Sequence, residues 1–286
     1  MPETNASLSC PVCDGDCIRS YYSGPELELF RCAGCGLKFR WPIPSPEELT
    51  ALYSEEYYNQ TYPEKILEEE KKLFLSRIAR LEKLGRTSFK RVFEIGTGRG
   101  LFLKAARERG LECAGQDISR AAADHAEKIS GVKVHCGSLE TVGAKPGSFD
   151  LVHMNHVLEH IPDPLAVLAQ AGQLLRPGGL FYCEVPRQSN LLNHLSSLMA
   201  GGEFGFTYFP GHLYLFSRNS LARLMHKAGF EIMESEIEGM AAPHRFVRGV
   251  HYASTAAHLV KLVAGGIKLE RILGGGNLHV VARKPR

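Results

Sequence analysis

A chain of 286 residues with 44% hydrophobic and 23% charged residues can bury a sizeable core, which excludes a disordered protein. Its 29 glycines and 15 prolines follow no fixed period, and a formal net charge of +3 without a basic stripe argues against collagen-like repeats and nucleic-acid binding. No run approaches the ~18 uninterrupted apolar residues of a membrane-crossing helix, and residues 1–9 lack a secretory pattern, so a reducing cytoplasm is the expected compartment.

Five of the eight cysteines stand at positions 10, 13, 17, 32 and 35. Cys10-Pro11-Val12-Cys13 and Cys32-Ala33-Gly34-Cys35-Gly36 are two Cys-x2-Cys knuckles separated by 18 residues. In a reducing compartment that spacing predicts a structural Zn2+ held by Cys10, Cys13, Cys32 and Cys35. Cys17 is left as a free thiol or an alternative ligand. Leu27, Leu29 and Phe30 leading into Cys32, then Leu37 and Phe39 after Cys35, predict the two strands of a hairpin. Residues 1–40 carry four basic and five acidic side chains, a net of −1 that argues against a nucleic-acid reader.

Trp41-Pro42-Ile43-Pro44-Ser45-Pro46 reads as a stiff linker. Ser45 and Glu48 form a capping-box pattern for a short helix reaching Leu52 or Tyr53. Tyr53, Tyr57, Tyr58 and Tyr62 pack a seam between domains or line a substrate pocket. Ile66, Phe74, Ile78, Leu81 and Leu84 predict a helix over 64–84, packed on a sheet and stopped by Gly85 as its C-cap.

From residue 91 strands and helices alternate. Strands are expected at 91–95, 111–116, 132–136, 149–154 and 180–185. Helices are expected over 101–109, after Asp117 to about Ile129, and from Asp163-Pro164 to a stop at Arg176-Pro177-Gly178-Gly179. Ser217 caps a further helix ending at Gly229, and strands 230–237 and 277–283 close the pattern. This is an α/β protein with a Rossmann-like, doubly wound sheet. The expected division is a ribbon at 1–41, a linker and helical cap at 42–85, and a main domain at 86–286. Lid insertions fall at about 186–216 and 240–275, the second with an amphipathic piece near 252–272.

The first strand runs into Glu94-Ile95-Gly96-Thr97-Gly98-Arg99-Gly100. The nicotinamide fingerprint needs glycine where Leu101 stands, and a phosphate-binding loop needs Gly-Lys-Ser/Thr; both are absent. Asp117 follows Gly96 by 21 residues, Ser138-Leu139 follows the third strand, and Phe149-Asp150-Leu151-Val152 is the fourth. Val157-Leu158-Glu159-His160-Ile161-Pro162-Asp163-Pro164, Leu174 to Gly179, and His212 to Ser217 come next. In these features, over about 90–286, the chain resembles the class I S-adenosylmethionine-dependent methyltransferases of small-molecule type. The resemblance implies a seven-stranded sheet whose last strand is antiparallel. It implies that Gly96, Gly98 and Gly100 pass along the methionine and ribose of S-adenosylmethionine, and that Glu94 lies near its amino group. Asp117 would hold the ribose, Ile118 would pack on adenine, and Ser138 and Leu139 would cradle the ring. Asn155 would face the sulfonium.

The methyl group is already activated, so positioning can supply most of the acceleration. Candidate catalytic residues are His156, Glu159, His160 and His212, the first three expected on one helical face. Three roles are open: tying a loop, acting as a general base, or holding a metal. Ubiquinone-pathway O-methyltransferases and small-RNA 2′-O-methyltransferases use a similar Glu-x-x-Glu-His, and His156 replaces its first Glu, which would suit zinc. The front end is similar to bacterial sugar and natural-product methyltransferases that begin with a zinc ribbon. A small-molecule acceptor is expected, with O-methylation favoured over N or C. Phe204, Phe206, Tyr208 and Phe209 would close over it with His212. RNA or protein methylation, and a cofactor-binding scaffold without turnover, are the rival readings. Oligomeric state is not legible.

Overall fold

The alternation from residue 91 resolves into one twisted sheet. The computed structural model describes residues 8–24, 27–45, 48–49, 63–186, 211–239 and 276–286. Its order is β10 (Glu231–Gly239), β11 (Gly276–Arg283), β8 (Leu175–Pro186), β7 (Phe149–Asn155), β4 (Arg91–Ile95), β5 (Glu112–Asp117) and β6 (Val134–Cys136). Only β11 runs against its neighbours, as expected for the last strand.

Helices cover both faces because each strand is apolar on both sides. α1 (Glu64–Gly85), α2 (Leu101–Glu108) and α3 (Arg120–Ser130) bury Phe74, Ile78, Leu81, Phe102, Leu103 and Ala126 on one face against Val92, Leu151 and Tyr182. α4 (Pro164–Leu174) and α5 (Arg218–Lys227) bury Leu168, Ala171, Leu221 and Leu224 on the other, against Phe93, Val152 and Phe181. Helix starts follow capping chemistry. Asp163 accepts from the Ala166 amide at 3.0 Å with Pro164 in the first turn, and Ser217 and Ser220 form a capping box. Ser45 and Glu48 also exchange reciprocal bonds, as their pattern predicts.

Two boundaries differ from expectation. Arg86, not Gly85, takes the left-handed cap after α1. Gly85 is the last helical residue, where a Cβ would meet Leu180 Cδ1 at 2.9 Å, so glycine serves close helix–strand packing there. α4 stops at Leu174 and β8 begins at once, because Leu175 pairs with Phe149 and Gly178 and Gly179 pair with Lys284.

The front of the chain forms a second sheet, β1 (Ile18–Ser23), β2 (Glu28–Cys32), β3 (Lys38–Arg40) and β9 (Tyr214–Leu215). β2 and β3 are the expected hairpin. β9 comes from the segment expected to be a lid: Phe39 faces Tyr214, Lys38 faces Leu215, and the Arg40 amide donates to Leu213 O at 2.9 Å. The Cys35 carbonyl accepts from Ser217 Oγ at 3.0 Å and Asn219 Nδ2 at 3.2 Å, and Lys227 pairs with Asp14. The apolar interior of the ribbon (Val12, Leu37, Phe39) is continuous with that under α5. The four-tyrosine segment, the Phe204–Phe209 aromatics and residues 252–272 lie outside the described residues. Among the described residues no helix is long and apolar enough to cross a membrane.

Candidate active site

The carboxyl ends of β4, β5, β7 and β8 meet at one edge of the sheet, where open α/β sheets bind ligands. Gly96, Gly98 and Gly100 all have positive φ, at 71°, 47° and 73°. A Cβ on Gly96 would collide with Val157 Cγ2, and one on Gly100 would meet the Ala126 backbone at 2.7 Å. A Cβ on Gly98 would meet nothing within 4 Å, so that residue turns toward open space. Asp117 locks the loop from below: Oδ2 accepts from the Gly98 amide at 3.0 Å and Oδ1 from the Ser119 amide at 2.9 Å. Burial raises its pKa against the pull of those amides.

Ile118 is 72% exposed beside Asp117, an apolar surface held out at the loop's edge. Ser138 begins a 3-10 turn over Leu139–Val142, and Leu139 is buried beneath it. The Asn155 amide oxygen is engaged by Arg77 Nη1 at 3.2 Å. Glu94 is fully buried. Its Oε1 meets His153 Nδ1 at 3.2 Å, and its Oε2 has no hydrogen-bond partner among the described residues. Burial, then the nearby Asp117, pushes its pKa well above the usual carboxylate range.

The acceptor-side residues sit in the turn after β7. His156, Glu159 and His160 do not share an α-helical face. His156 adopts a left-handed conformation (φ 55°), and only Leu158–His160 turns, as 3-10 helix. Its amide is drawn to the Glu184 carbonyl at 2.8 Å, which bends the chain before a helix can start. The bend still gathers the side chains. Glu159 is 1% exposed, and its Oε1 lies 3.5 Å from His156 Nδ1, 3.6 Å from His160 Nε2 and 3.9 Å from His212 Nε2. Burial alone would raise its pKa, but the three imidazoles hold it below the ordinary value. His160 Nδ1 donates to the Gly211 carbonyl at 2.9 Å, and the Leu213 amide donates to the Glu159 carbonyl at 2.8 Å. His160 is thus bonded to the 211 loop through Nδ1, and its Nε2 is turned toward Glu159.

These separations exceed a hydrogen bond of about 2.7–3.0 Å. They approach the roughly 3.3–3.6 Å edge of a tetrahedron with 2.0–2.2 Å metal–ligand bonds. One ligand atom from each of Glu159, His160 and His212 lies within 4.8 Å of the others, so the donor set fits a divalent cation. In the ribbon, Cys10 and Cys35 Sγ are 3.5 Å apart, as are Cys13 and Cys32. A tetrahedral zinc with 2.3 Å bonds needs roughly 3.8 Å. Cys17 is exposed and outside this group.

Sequence reasoning missed Arg77, His153 and Glu184, all buried just beneath the site. A signal existed. Arg77 occupies a core position of the helical stripe Phe74, Ile78, Leu81, and the other two interrupt apolar strand runs.

The family described as "Methyltransferase domain" matches residues 66–235, more than half of the chain. The ubiquinone biosynthesis O-methyltransferase of Aromatoleum aromaticum is 35% identical over 156 residues, covering 51% of this chain and 65% of that protein. Its namesake in Burkholderia pseudomallei is 31% identical over 163 residues, covering 53% and 68%. The chain thus spans about two thirds of the length of these curated relatives. Among solved structures, Burkholderia thailandensis 1,6-didemethyltoxoflavin-N1-methyltransferase, with bound 1,6-didemethyltoxoflavin and S-adenosylhomocysteine, shares the fold at TM-score 0.54. It is 17% identical, over 93% of this chain and 99% of that one. A SAM-dependent methyltransferase from Archaeoglobus fulgidus does so at TM-score 0.52 and 19% identity, over 78% and 100%.

Proposed function

The chain belongs to this methyltransferase domain family and is an S-adenosylmethionine-dependent methyltransferase, and we propose that it methylates a hydroxyl of a small-molecule acceptor. The observation that carries the acceptor chemistry is the buried Glu159 carboxylate with imidazole nitrogens at 3.5–3.9 Å. An oxygen nucleophile must lose a proton as the sulfur–methyl bond breaks and the oxygen–methyl bond forms, leaving S-adenosylhomocysteine. An amine need only be neutral, so a group that handles a proton or a divalent ion favours oxygen. The named O-methyltransferase relatives support the same choice.

In this reading Gly96, Gly98, Gly100 and Asp117 seat the methionine and ribose parts, with Glu94 at the amino group. Ile118, Ser138 and Leu139 seat adenine, and Asn155 lies toward the sulfonium. Glu159, His160 and His212 hold a divalent cation, with His156 closing the group from the β8 side. Such an ion, when bound, lowers the pKa of a coordinated hydroxyl. The residues themselves orient the acceptor and keep a buried negative charge beside it. Cys10, Cys13, Cys32 and Cys35 hold a structural zinc that folds a ribbon too small to build its own core. The protein works in the cytoplasm on a small molecule.

The test is transfer of labelled methyl groups from S-adenosylmethionine into cell extract, separated by size, with and without a chelator. Label in a small product with an alkali-stable ether bond, lost on chelation, is the expected result. Label in RNA or protein, or no transfer at all, would overturn the reading.

A further inference from the structure

A row of buried polar side chains runs between α1 and the sheet, under the loop that the proposed function gives to the cofactor. Arg77 on α1 is 6% exposed and Glu184 on β8 is 4% exposed, paired through Nη2 and Oε2 at 2.5 Å. Tyr182 donates to the same oxygen at 2.5 Å, and Asn277 donates to Oε1. So held, Arg77 offers Nη1 to Asn155 and, at 3.2 Å, to His153 Nε2. A guanidinium can only donate, so His153 Nε2 accepts and its proton sits on Nδ1. That proton points at Glu94 Oε1, 3.2 Å away. Stacking fixes the plane of the His153 ring, and Arg77 on one edge and Glu94 on the other select its orientation in that plane. The ring is stacked on Phe102 at 3.8 Å and 2°, and on Tyr182 at 5.2 Å and 7°.

We propose that His153 is a positioning residue for the cofactor. It takes Oε1 of Glu94, which leaves the buried Oε2 to receive the ammonium of the amino-acid part of S-adenosylmethionine, and Arg77, anchored on Glu184, fixes the tautomer in which it does so. The inference rests on the reading that Glu94 meets that ammonium. Charged or titratable groups facing Glu94 are Arg77 from α1, His153 from β7, and Asp117 and Cys113 from β5; α2 contributes the Leu103 amide. Burial pushes the Glu94 pKa well up and the His153 pKa well down, with Asp117 adding to the effect on Glu94 and Arg77 to that on His153. An arriving cation favours the ionised carboxylate, so any proton Glu94 carries goes to solvent on binding.

Calorimetry with S-adenosylmethionine in two buffers of different ionisation enthalpy tests this. Because the Glu94 pKa is raised in the free protein, wild type should release rather than take up protons on binding, and should bind more tightly as pH rises. His153→Phe, which keeps the ring stack and deletes both nitrogens, should weaken binding about 10- to 100-fold. His153→Asn returns a donor at the Nδ1 position and should recover part of that loss. His153→Phe combined with Glu94→Gln should bind no worse than Glu94→Gln alone. If the phenylalanine variant does not fold, Arg77→Met combined with Glu184→Met frees His153 Nε2 without stranding a charge, and should weaken binding in the same direction. Binding by folded His153→Phe within about twofold of wild type, with Glu94→Gln clearly weaker, overturns the proposal and leaves the Glu94 reading standing. Wild-type affinity in Glu94→Gln removes that reading, and the proposal with it.

Discussion

Gly96 of the donor half lies against Val157 of the acceptor-side turn, yet the two halves are assembled in opposite ways. The heart of the donor half is local: Glu94, the glycine loop and Asp117 lie within 24 residues, and the loop's geometry follows from backbone dihedrals that glycine alone adopts readily. The acceptor half is remote. Glu159 comes from the turn after β7, and His212 sits beside β9, which pairs with β3 of the ribbon. The ribbon thus acts at a distance on the site: β3 holds Leu213 through Arg40, and Leu213 bonds Glu159. A short motif can specify the first kind of site. The second depends on strand pairing between residues about 175 apart.

If that division is sound, damage to one half should spare the other. The largest effect should come from Cys35→Ser. Loss of zinc, read by atomic absorption, should release β3, and methyl transfer should fall by more than about 100-fold, while S-adenosylmethionine binding stays within about threefold. Unchanged zinc content would remove the ribbon from the account. Next is Arg77→Met, which strands the buried Glu184 and should cost about 3–5 kcal/mol in denaturant unfolding; Arg77→Met with Glu184→Met should recover most of it.

Acid sharpens the same point. Burial opposes ionisation of Glu184, but His156, Arg77 and Tyr182 overcome it and hold its pKa far below 4.5. Its contribution is therefore complete above that unfolded-state value and is lost as pH falls toward the folded one. Between about pH 5 and pH 2, wild type should lose more stability than the double methionine variant. The smallest effect is on the donor side alone. Ile118→Ala should weaken S-adenosylmethionine about 3- to 15-fold by calorimetry, the worth of part of a buried isoleucine, without changing stability.

The same contrast explains what was legible in the sequence. The alternation of strands and helices, Asp163 and Ser217 as caps, and the hairpin strands on either side of the second knuckle follow from local patterns, and the antiparallel β11 from the family resemblance. The pairing of residues 214–215 with β3 did not, because two residues of strand carry no period. The turn at His156 was misread as helical since its left-handed bend is set by a bond to Glu184, far along the chain. Arg77, His153 and Glu184 carry no motif. Their mark was polarity at core positions, where a charge must be paired to persist.

The account's central claim is that donor binding and acceptor chemistry reside in separable residues. Its most direct test measures S-adenosylmethionine affinity and labelled methyl transfer to the small-molecule fraction side by side in wild type and His212→Ala. Affinity within about twofold, with transfer reduced at least about 100-fold, is the predicted result. Transfer at the wild-type rate, or loss of cofactor binding together with transfer, would contradict it.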